Sequence, residues 1–204
     1  MAALRAAKQA LRKEIKRRVA ALSDDEKHRQ SHELSRKLLT HPRYLSCERI
    51  AVFLSMDDEV RTEEIIEDVF RRGKSCFIPR YERNGHMDML RMRSLQDMRA
   101  LPRTDWSIQQ PAEEDQSREE ALDGGGLDLI LMPGLGFDRL GRRLGRGKGF
   151  YDGYLQRCSA LPGAKPYTIA LAFSQQLCAE IPVDHNDVLI DEVLYEGGEE
   201  LQAP

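Results

Sequence analysis

Apolar residues recur every three or four positions near the start of the chain, at Leu4, Ala7, Leu11, Ile15, Val19 and Leu22. This spacing puts one apolar stripe on a helix, so the sequence predicts a first helix over residues 4–22. The other faces of this helix are basic, and Lys8, Arg12 and Lys16 share one side at intervals of four residues. These cations either face a bound anion or form an ordinary solvated surface, and the pattern alone leaves both interpretations open.

The sequence predicts four further helical segments. The capping pair Ser23 and Glu26 predicts a second helix that ends at about Thr40. A third helix is predicted over residues 62–73, with Thr62 as its cap and acidic residues in its first turn. A short helical piece is predicted over residues 174–180, and another helix begins after Gly149.

Short apolar runs predict strands at residues 49–55, 75–79, 86–92, 127–132, 167–173 and 193–195. The third helix separates the first two runs, and a strand, helix and strand in this order imply a parallel crossover. The acidic and then glycine-rich segment 112–126 predicts an exposed loop, and the tail from Gly197 is predicted to fray. The pattern therefore predicts one α/β domain.

Composition excludes several classes of protein. The chain has 204 residues, of which 41% are hydrophobic and 32% charged, and it contains no apolar run of the roughly 18 residues that a membrane span requires. Its four cysteines and five histidines form neither a CxxC pair nor a zinc pattern, so we expect reduced thiols in a cytoplasmic protein. The basic, amphipathic start is typical of a transit peptide as well, but it continues into the predicted helix, so we interpret it as part of the fold.

The stretch PGLGFDRLGRRLGRGKGFYD, residues 133–152, carries the strongest functional signal. Seven of the 15 glycines and five cationic residues fall within residues 134–153. Closely spaced glycines let backbone N–H groups converge on an anion, and the cations add charge, so this pattern predicts a phosphate loop. A flexible solvated loop is the alternative, but apolar residues recur through the stretch, as in a loop anchored on a core.

This loop differs from the common phosphate motifs. Gly147 and Lys148 are followed by Gly149 instead of Ser or Thr, and the GxGxxG spacing of dinucleotide folds is absent. A nucleoside triphosphate brings Mg²⁺, which prefers carboxylate ligands, and Asp152 and then Asp187 are the best placed candidates. Asp138 is a weaker candidate, because FDRLG is typical of a turn.

The run PGLGFDRLGRRLGRGKGFYDGYL resembles the signature of the 5-formyltetrahydrofolate cyclo-ligases, also called methenyltetrahydrofolate synthetases. The likeness extends from Lys8–Arg12 through FLSMDDEV to PVDHNDVLIDEVLYE, and it is similar to the animal cytosolic type. It implies a single three-layer α/β domain with a mostly parallel sheet, of the kind shared with sugar-phosphate isomerases and CoA transferases. It also implies that ATP and Mg²⁺ are used to convert 5-formyltetrahydrofolate, with or without a polyglutamate tail, into 5,10-methenyltetrahydrofolate, ADP and phosphate. The expected protein is a cytoplasmic monomer with no nucleic-acid or membrane partner.

Residue by residue, the resemblance implies roles for three sets. ATP contacts are expected at Lys8, Gln9, Ala10, Leu11, Arg12, Arg143, Leu144, Gly145, Arg146, Gly147, Lys148, Gly149, Phe150 and Tyr151. Folate contacts are expected at Arg12, Leu54, Glu59, Trp106, Arg146, Gly147, Lys148, Gly149 and Phe150. Asp152 and Asp187 are the expected Mg²⁺ ligands, and Arg146, Lys148 and Tyr151 the expected catalytic group. Trp106 is either a buried loop anchor or a stacking wall, and Phe150 lacks a hydroxyl that relatives often carry at this position.

Two alternative functions stay open at this point. A sugar-phosphate isomerase or CoA-transferase relative would share the fold and would not consume ATP. A regulatory or RNA-binding module would use the two basic segments and bind polyanions in a salt-dependent way. The sequence lacks aromatic residues interleaved with those segments for base stacking, which disfavours RNA binding.

Overall fold

The computed structural model describes residues 2–104, 108–161, 163, 165–197 and 201–202. Its helices are α1 (Ala2–Ala20), α2 (Asp24–Thr40), α3 (Pro42–Ser46), α4 (Glu63–Arg71), α5 (Leu95–Arg99) and α6 (Phe150–Ala160), with a 3-10 turn at Ser174–Gln176. Its strands are β1 (Arg49–Ala51), β2 (Ser75–Tyr81), β3 (Met87–Arg91), β4 (Leu129–Met132), β5 (Gly136–Phe137), β6 (Arg143–Leu144), β7 (Tyr167–Leu171), β8 (Glu192–Leu194) and β9 (Leu201–Gln202).

Seven strands form one sheet in the order β3-β2-β1-β4-β7-β8-β9. The neighbours from β2 to β8 are parallel, whereas β3 and β9 are antiparallel edge strands. Strand β1 aligns Ile50 with Cys76 on one side and with Leu129 on the other. The prediction of a mostly parallel sheet, including the parallel pair joined through α4, is confirmed.

Helices cover both faces of this sheet. Leu129 and Leu131 of β4 pack in one apolar cluster with residues of α1, α2 and α4, whereas Ile130 and Met132 pack in a second cluster with α6. Alternate residues of a strand point to opposite faces, so β4 contributes to both clusters and reads as a continuous apolar run. Each fully buried aliphatic side chain stabilises the fold by about 1.5–3 kcal/mol. The three-layer α/β arrangement is confirmed, and the relation to sugar-phosphate isomerases stays a prediction.

Helix α1 is anchored mainly through its second half. Ile15 and Val19 are buried, whereas Leu11 is partly buried and Ala7, which belongs to the predicted stripe, is exposed. The first half of the helix therefore extends past the core, and its polar residues are available for contacts with the loops beyond the sheet.

Two local predictions are wrong. The Thr62 side chain does not cap α4; its hydroxyl donates to the Phe53 carbonyl at 2.7 Å. Segment 112–126 is not exposed throughout, because Ala121 is fully buried and its N–H donates to the Met89 carbonyl at 2.9 Å. In both cases a tertiary partner supplies the hydrogen bond that local sequence could not indicate. Leu201–Gln202 pairs with β8, and the fraying of the tail stays a prediction.

The predicted strand at residues 49–55 ends early. After β1 the chain makes one more sheet bond, from the Val52 N–H to the Phe77 carbonyl at 2.9 Å, and then leaves the sheet. Residues 53–59 are therefore free to form a loop beyond the carboxyl end of β1. By contrast, the Ser23 cap is confirmed: its hydroxyl accepts the Glu26 N–H at 3.2 Å.

Candidate active site

A cleft of about 810 Å³ lies beyond the carboxyl ends of β1, β2 and β4. Its walls come from the first half of α1, the loop after β1, the glycine-rich stretch, the start of α6 and the segment before β8. Ligands of open α/β sheets bind at this edge, because the loops that follow parallel strands converge there. The cleft is therefore the candidate active site.

The glycine-rich stretch is fastened to the body of the protein at its turn. Asp138 is buried, and its carboxylate accepts the N–H groups of Leu140, Arg142 and Ile181 at 2.9, 3.1 and 2.9 Å. This carboxylate is the turn residue that the pattern favoured, and it does not line the cleft. Gly141 adopts a φ of +77°, and an added Cβ would lie 2.2 Å from the Ile190 carbonyl oxygen. Only glycine fits this close approach.

Beyond this anchor the loop opens toward solvent. Arg146, Gly147, Lys148 and Gly149 are exposed, and Gly147 and Gly149 have positive φ values of 99° and 71°. Gly149 is followed directly by the first turn of α6, and no side chain caps that helix. The first N–H groups of a helix lack internal partners and carry positive partial charge, so the loop and the helix start together suit an anion.

Two residues of α1 reach into the cleft. The Lys8 ammonium donates to Asp184 Oδ2 at 3.0 Å and to Asp187 Oδ2 at 2.6 Å. Burial acts to lower the pKa of Lys8, but the hydrogen bonds that it donates to Asp187 and Asp184 outweigh burial and raise that pKa above its ordinary value. Arg12 donates through Nε to the Gly145 carbonyl at 2.9 Å. Helix α1 is thus tied to the glycine-rich loop and to the segment before β8.

Two loop arginines are also paired with carboxylates. Arg143 donates to Asp152 Oδ2 at 3.0 Å, and its guanidinium lies 5.5 Å from the centre of the Tyr151 ring. Arg146 donates through Nη2 to Asp58 Oδ1 at 2.5 Å and to Glu59 Oε1 at 3.1 Å.

Glu59 and Lys148 represent opposite extremes of burial in the cleft. Burial raises the pKa of Glu59, and the charge of Arg146 opposes that shift without cancelling it. Lys148 is exposed and makes no ion pair with any residue that the structure describes. Among the described residues of the cleft, Lys8, Arg143 and Arg146 are thus paired with carboxylates, whereas Arg12 and Lys148 form no ion pair. Lys148 is the more exposed of these two and is free to meet an incoming anion.

An aromatic wall lines the same cleft beside these charged residues. The Tyr81 and Tyr151 hydroxyls are 3.4 Å apart, and the Tyr81 ring packs on Phe150 with centroids 5.0 Å apart and planes tilted by 58°. Burial raises the pKa of both tyrosines, so both are neutral hydrogen-bonding groups near pH 7. Leu54 and Ile108 add apolar surface to the same cleft. A flat, partly apolar ring system fits such a wall.

The structure gathers most of the sequence-predicted site residues at the cleft. Its lining includes Lys8, Arg12, Leu54, Glu59, all of residues 143–151, Asp152 and Asp187. Gln9 and Ala10 do not line it, because they are exposed elsewhere on α1, and Leu11 packs against the core instead. The expectation of ATP contacts at these three residues is therefore not supported by their placement. Trp106 lies outside the described residues, so its predicted stacking role stays a prediction.

Some lining residues were missed by sequence reasoning. Tyr81 ends β2, and its position at the carboxyl end of a parallel strand could have identified it. Asp58 and Asp184 could not be identified in this way, since each meets its cation through a contact that spans at least 88 positions.

The carboxylates of Asp152 and Asp187 suit a hard divalent cation. Asp152 Oδ1 accepts the Val188 N–H at 3.2 Å, and Asp187 Oδ2 accepts the Asp184 N–H at 2.7 Å, so backbone bonds orient both groups on the cleft wall. Oxygen donors of this kind are those Mg²⁺ prefers, usually one or two carboxylates with several waters. The residues present therefore fit Mg²⁺.

Another group of possible metal ligands lies outside the cleft. Among the described residues, Glu82, His86 and Asp88 bring ligand atoms within 4.8 Å of one another. Asp88 is already paired with Arg80 and Arg157, at 3.4 and 3.2 Å. Because these arginines balance its charge, the group is an ion-pair network of the fold.

Comparison with known proteins agrees with this geometry. The 5-formyltetrahydrofolate cyclo-ligase family matches residues 4–196. A mouse 5-formyltetrahydrofolate cyclo-ligase is 56% identical over 191 residues, which cover 93% of this chain and 94% of the mouse protein. A probable 5-formyltetrahydrofolate cyclo-ligase of Caenorhabditis elegans is 34% identical, covering 97% of this chain and 96% of the relative.

Solved structures give the same result for the fold. The NMR structure of Aquifex aeolicus 5,10-methenyltetrahydrofolate synthetase matches with a TM-score of 0.78 and 26% identity, covering 96% of this chain and 92% of that one. The Mycoplasma pneumoniae 5,10-methenyltetrahydrofolate synthetase matches with a TM-score of 0.69 and 24% identity, covering 93% of this chain and 98% of that one.

Proposed function

The chain belongs to the 5-formyltetrahydrofolate cyclo-ligase family, and on that premise we propose that it converts 5-formyltetrahydrofolate and ATP into 5,10-methenyltetrahydrofolate, ADP and phosphate, with Mg²⁺. The observation that carries this proposal is the composition of the cleft. The cationic glycine-rich loop and the start of α6 line the same cleft as the Tyr81, Phe150 and Tyr151 rings. A polyphosphate and a flat heterocycle can therefore lie side by side.

The chemistry requires that the formyl oxygen become a leaving group. The γ-phosphoryl group of ATP is transferred to that oxygen, N10 of the folate attacks the activated formyl carbon and loses its proton, and the oxygen departs as phosphate. The protein contributes mainly orientation and charge neutralisation, as in other phosphoryl transfers. Proximity matters most here, because both reacting groups are bound in one cleft of about 810 Å³.

Lys148 and Arg146 are the proposed catalytic cations, and Tyr151 is the third member of this group. Lys148 has no competing partner among the described residues, so it meets the transferring phosphoryl group with its full charge. Asp58 and Glu59 hold the Arg146 guanidinium beside the loop after β1, on the lining of the cleft. A cation fixed on a phosphoryl group in this way accelerates transfer by about 10³-fold or more in comparable enzymes.

Asp152 and Asp187 would hold Mg²⁺. Bound there, the ion would neutralise the phosphates and help to orient them. Lys8, Arg143 and the N–H groups at the start of α6 would bind the remaining phosphate oxygens. Glu59 and Leu54 would contact the pterin ring, where a buried carboxylate accepts hydrogen bonds from ring N–H groups.

Two further parts of the proposal concern the state of the protein in the cell. We propose a cytoplasmic monomer, in line with four cysteines that are all free. No helix among the described residues is long and apolar enough to cross a membrane.

The test is to mix the protein with 5-formyltetrahydrofolate, Mg²⁺ and ATP and to follow the absorbance of the methenyl product together with ADP release. We expect product and ADP in equal amounts, and no product when ATP is omitted. Product without ATP consumption would refute the proposal and favour an isomerase or transferase relative. Absence of turnover together with salt-sensitive binding of polyanions would favour the nucleic-acid-binding alternative.

A further inference from the structure

Each carboxylate proposed as a metal ligand is bonded to a cation proposed as a phosphate ligand. Asp187 accepts from Lys8 at 2.6 Å, and Asp152 accepts from Arg143 at 3.0 Å. These four side chains are between 6% and 21% exposed, so solvent screens the two pairs only partly. Lys8 and Arg143 therefore cannot attract a phosphate at full strength while they are paired with Asp187 and Asp152.

The consequence for an incoming phosphate follows from charge alone. A phosphate oxygen that approaches Lys8 also approaches the carboxylates of Asp187 and Asp184, which repel it. The ammonium must also leave hydrogen bonds that it already makes. A divalent cation held by Asp187 and Asp152 would reduce both obstacles, because these two carboxylates would then direct their oxygens to the ion and only Asp184 would remain bonded to Lys8.

We propose that Asp187 and Asp152 compete with the nucleotide phosphates for Lys8 and Arg143. In the metal-free cleft the two carboxylates hold these cations, and on ligating Mg²⁺ they would release them. This inference rests on the proposed function and adds a form of regulation to it. Nucleotide without metal is rejected, and metal and nucleotide bind with strong positive coupling. The cleft thereby avoids unproductive occupation by metal-free ATP.

Asp184 has a separate part in this exchange. It contacts Lys8 at 3.0 Å and is not a proposed metal ligand. When Asp187 turns to the metal, Asp184 still holds Lys8 beside the phosphates, so α1 stays docked. Asp184 is in this sense a positioning residue.

The first experiment measures ADP binding calorimetrically, once with EDTA and once with Mg²⁺. For Asp187→Asn we expect metal-free ADP to bind about three- to tenfold more tightly than to the wild-type protein, because Lys8 is released. The additional tightening by Mg²⁺ should shrink. Asp152→Asn is the second variant and should change both quantities in the same directions through Arg143. Asp123→Asn is the matched control, since Asp123 is exposed in the turn before β4, at the opposite edge of the sheet.

A double-mutant cycle separates this exchange from a general loss of negative charge. In a Lys8→Met background, Asp187→Asn should leave metal-free ADP binding nearly unchanged, whereas a general charge effect would persist. Unchanged or weaker metal-free binding in both Asp187→Asn and Asp152→Asn would overturn the inference, and so would equal tightening with and without Lys8. These results would leave the proposed function standing, because that function is tested separately, by ATP-dependent product formation with the wild-type protein.

Discussion

Lys148→Met is the sharpest test of how the loop cations act. Lys148 is exposed at the tip of the glycine-rich loop, and it makes no ion pair with any described residue. Methionine keeps the length of the stem and removes the charge. We therefore expect the free energy of unfolding to change by less than about 0.5 kcal/mol, which is typical of exposed positions.

The expected kinetic loss is much larger. Removal of one preorganised group that stabilises transition-state charge costs about 10²–10³-fold in turnover, or about 3–4 kcal/mol. Arg146→Met provides the contrast, because it also strands the carboxylate of Glu59, whose side chain is only 8% exposed. Loss of a buried partner costs about 1–3 kcal/mol of stability, so Arg146→Met should lower both activity and stability.

The assay follows methenyl product formation for kcat and KM, with urea unfolding of the same preparations. Lys165→Met is the matched control, since Lys165 is exposed near the start of β7, at the opposite edge of the sheet. Near-normal kcat/KM for Lys148→Met, with the control also normal, would refute the assignment of Lys148 to the phosphoryl group. If Lys148→Met lowered only the free energy of unfolding and left kcat/KM normal, Lys148 would have a structural role.

Further predictions concern the fold and the bound state. Gly141→Ala should lower the free energy of unfolding by about 2–4 kcal/mol in urea titrations, because the new Cβ would lie 2.2 Å from the Ile190 carbonyl oxygen. Gly85 has a φ of +90° with open space around it, so Gly85→Ala should lower the free energy of unfolding by only about 1–2 kcal/mol. Burial acts to raise the pKa of Asp68, but hydrogen bonds from Tyr44 and two arginines outweigh burial and lower that pKa. This carboxylate therefore stabilises the fold at pH values above the ordinary carboxyl pKa of about 4. The stabilisation is lost as the pH falls through the lowered pKa of Asp68. Asp68→Asn should therefore unfold more easily at pH 7 and show a flatter acid limb below about pH 4 in pH-dependent urea titrations. An unchanged limb would contradict this reasoning. ADP with Mg²⁺ at about 100 times its dissociation constant should add about 2.7 kcal/mol, which is roughly 5–11 °C in thermal unfolding, and EDTA should remove most of this shift.

Sequence pattern predicted the elements best where one periodic feature dominates. The run LDLILM became β4 because every position is apolar and both faces of a parallel strand are covered. The Ser23 cap was predicted because capping is a contact between residues three positions apart. Thr62 shows the limit: its hydroxyl bonds to a carbonyl nine positions away, and no local rule indicates that partner.

For the site, residue chemistry was readable and residue pairing was not. The glycines and cations of residues 143–149 predict an anion-binding loop. The resemblance to a known family predicted Asp152, Asp187 and Glu59 as site residues, and all three line the cleft. The sequence did not indicate that Lys8 meets Asp184 and Asp187 across 176 and 179 positions, or that Arg146 meets Asp58. Those contacts decide which cations are neutralised before a ligand arrives.

By itself the sequence determined the α/β class and indicated the family, and it predicted a phosphate loop, because each depends on periodicity or on a contiguous motif. The tertiary structure alone decided that Lys8 and Arg12 line the cleft while Gln9 and Ala10 do not, and that Tyr81 completes the aromatic wall. The physical reason is that a local pattern specifies backbone geometry and the direction of a side chain on its own element. The packing of the elements determines which distant group that side chain contacts. In this protein the packing therefore sets which cations of the cleft are paired with carboxylates.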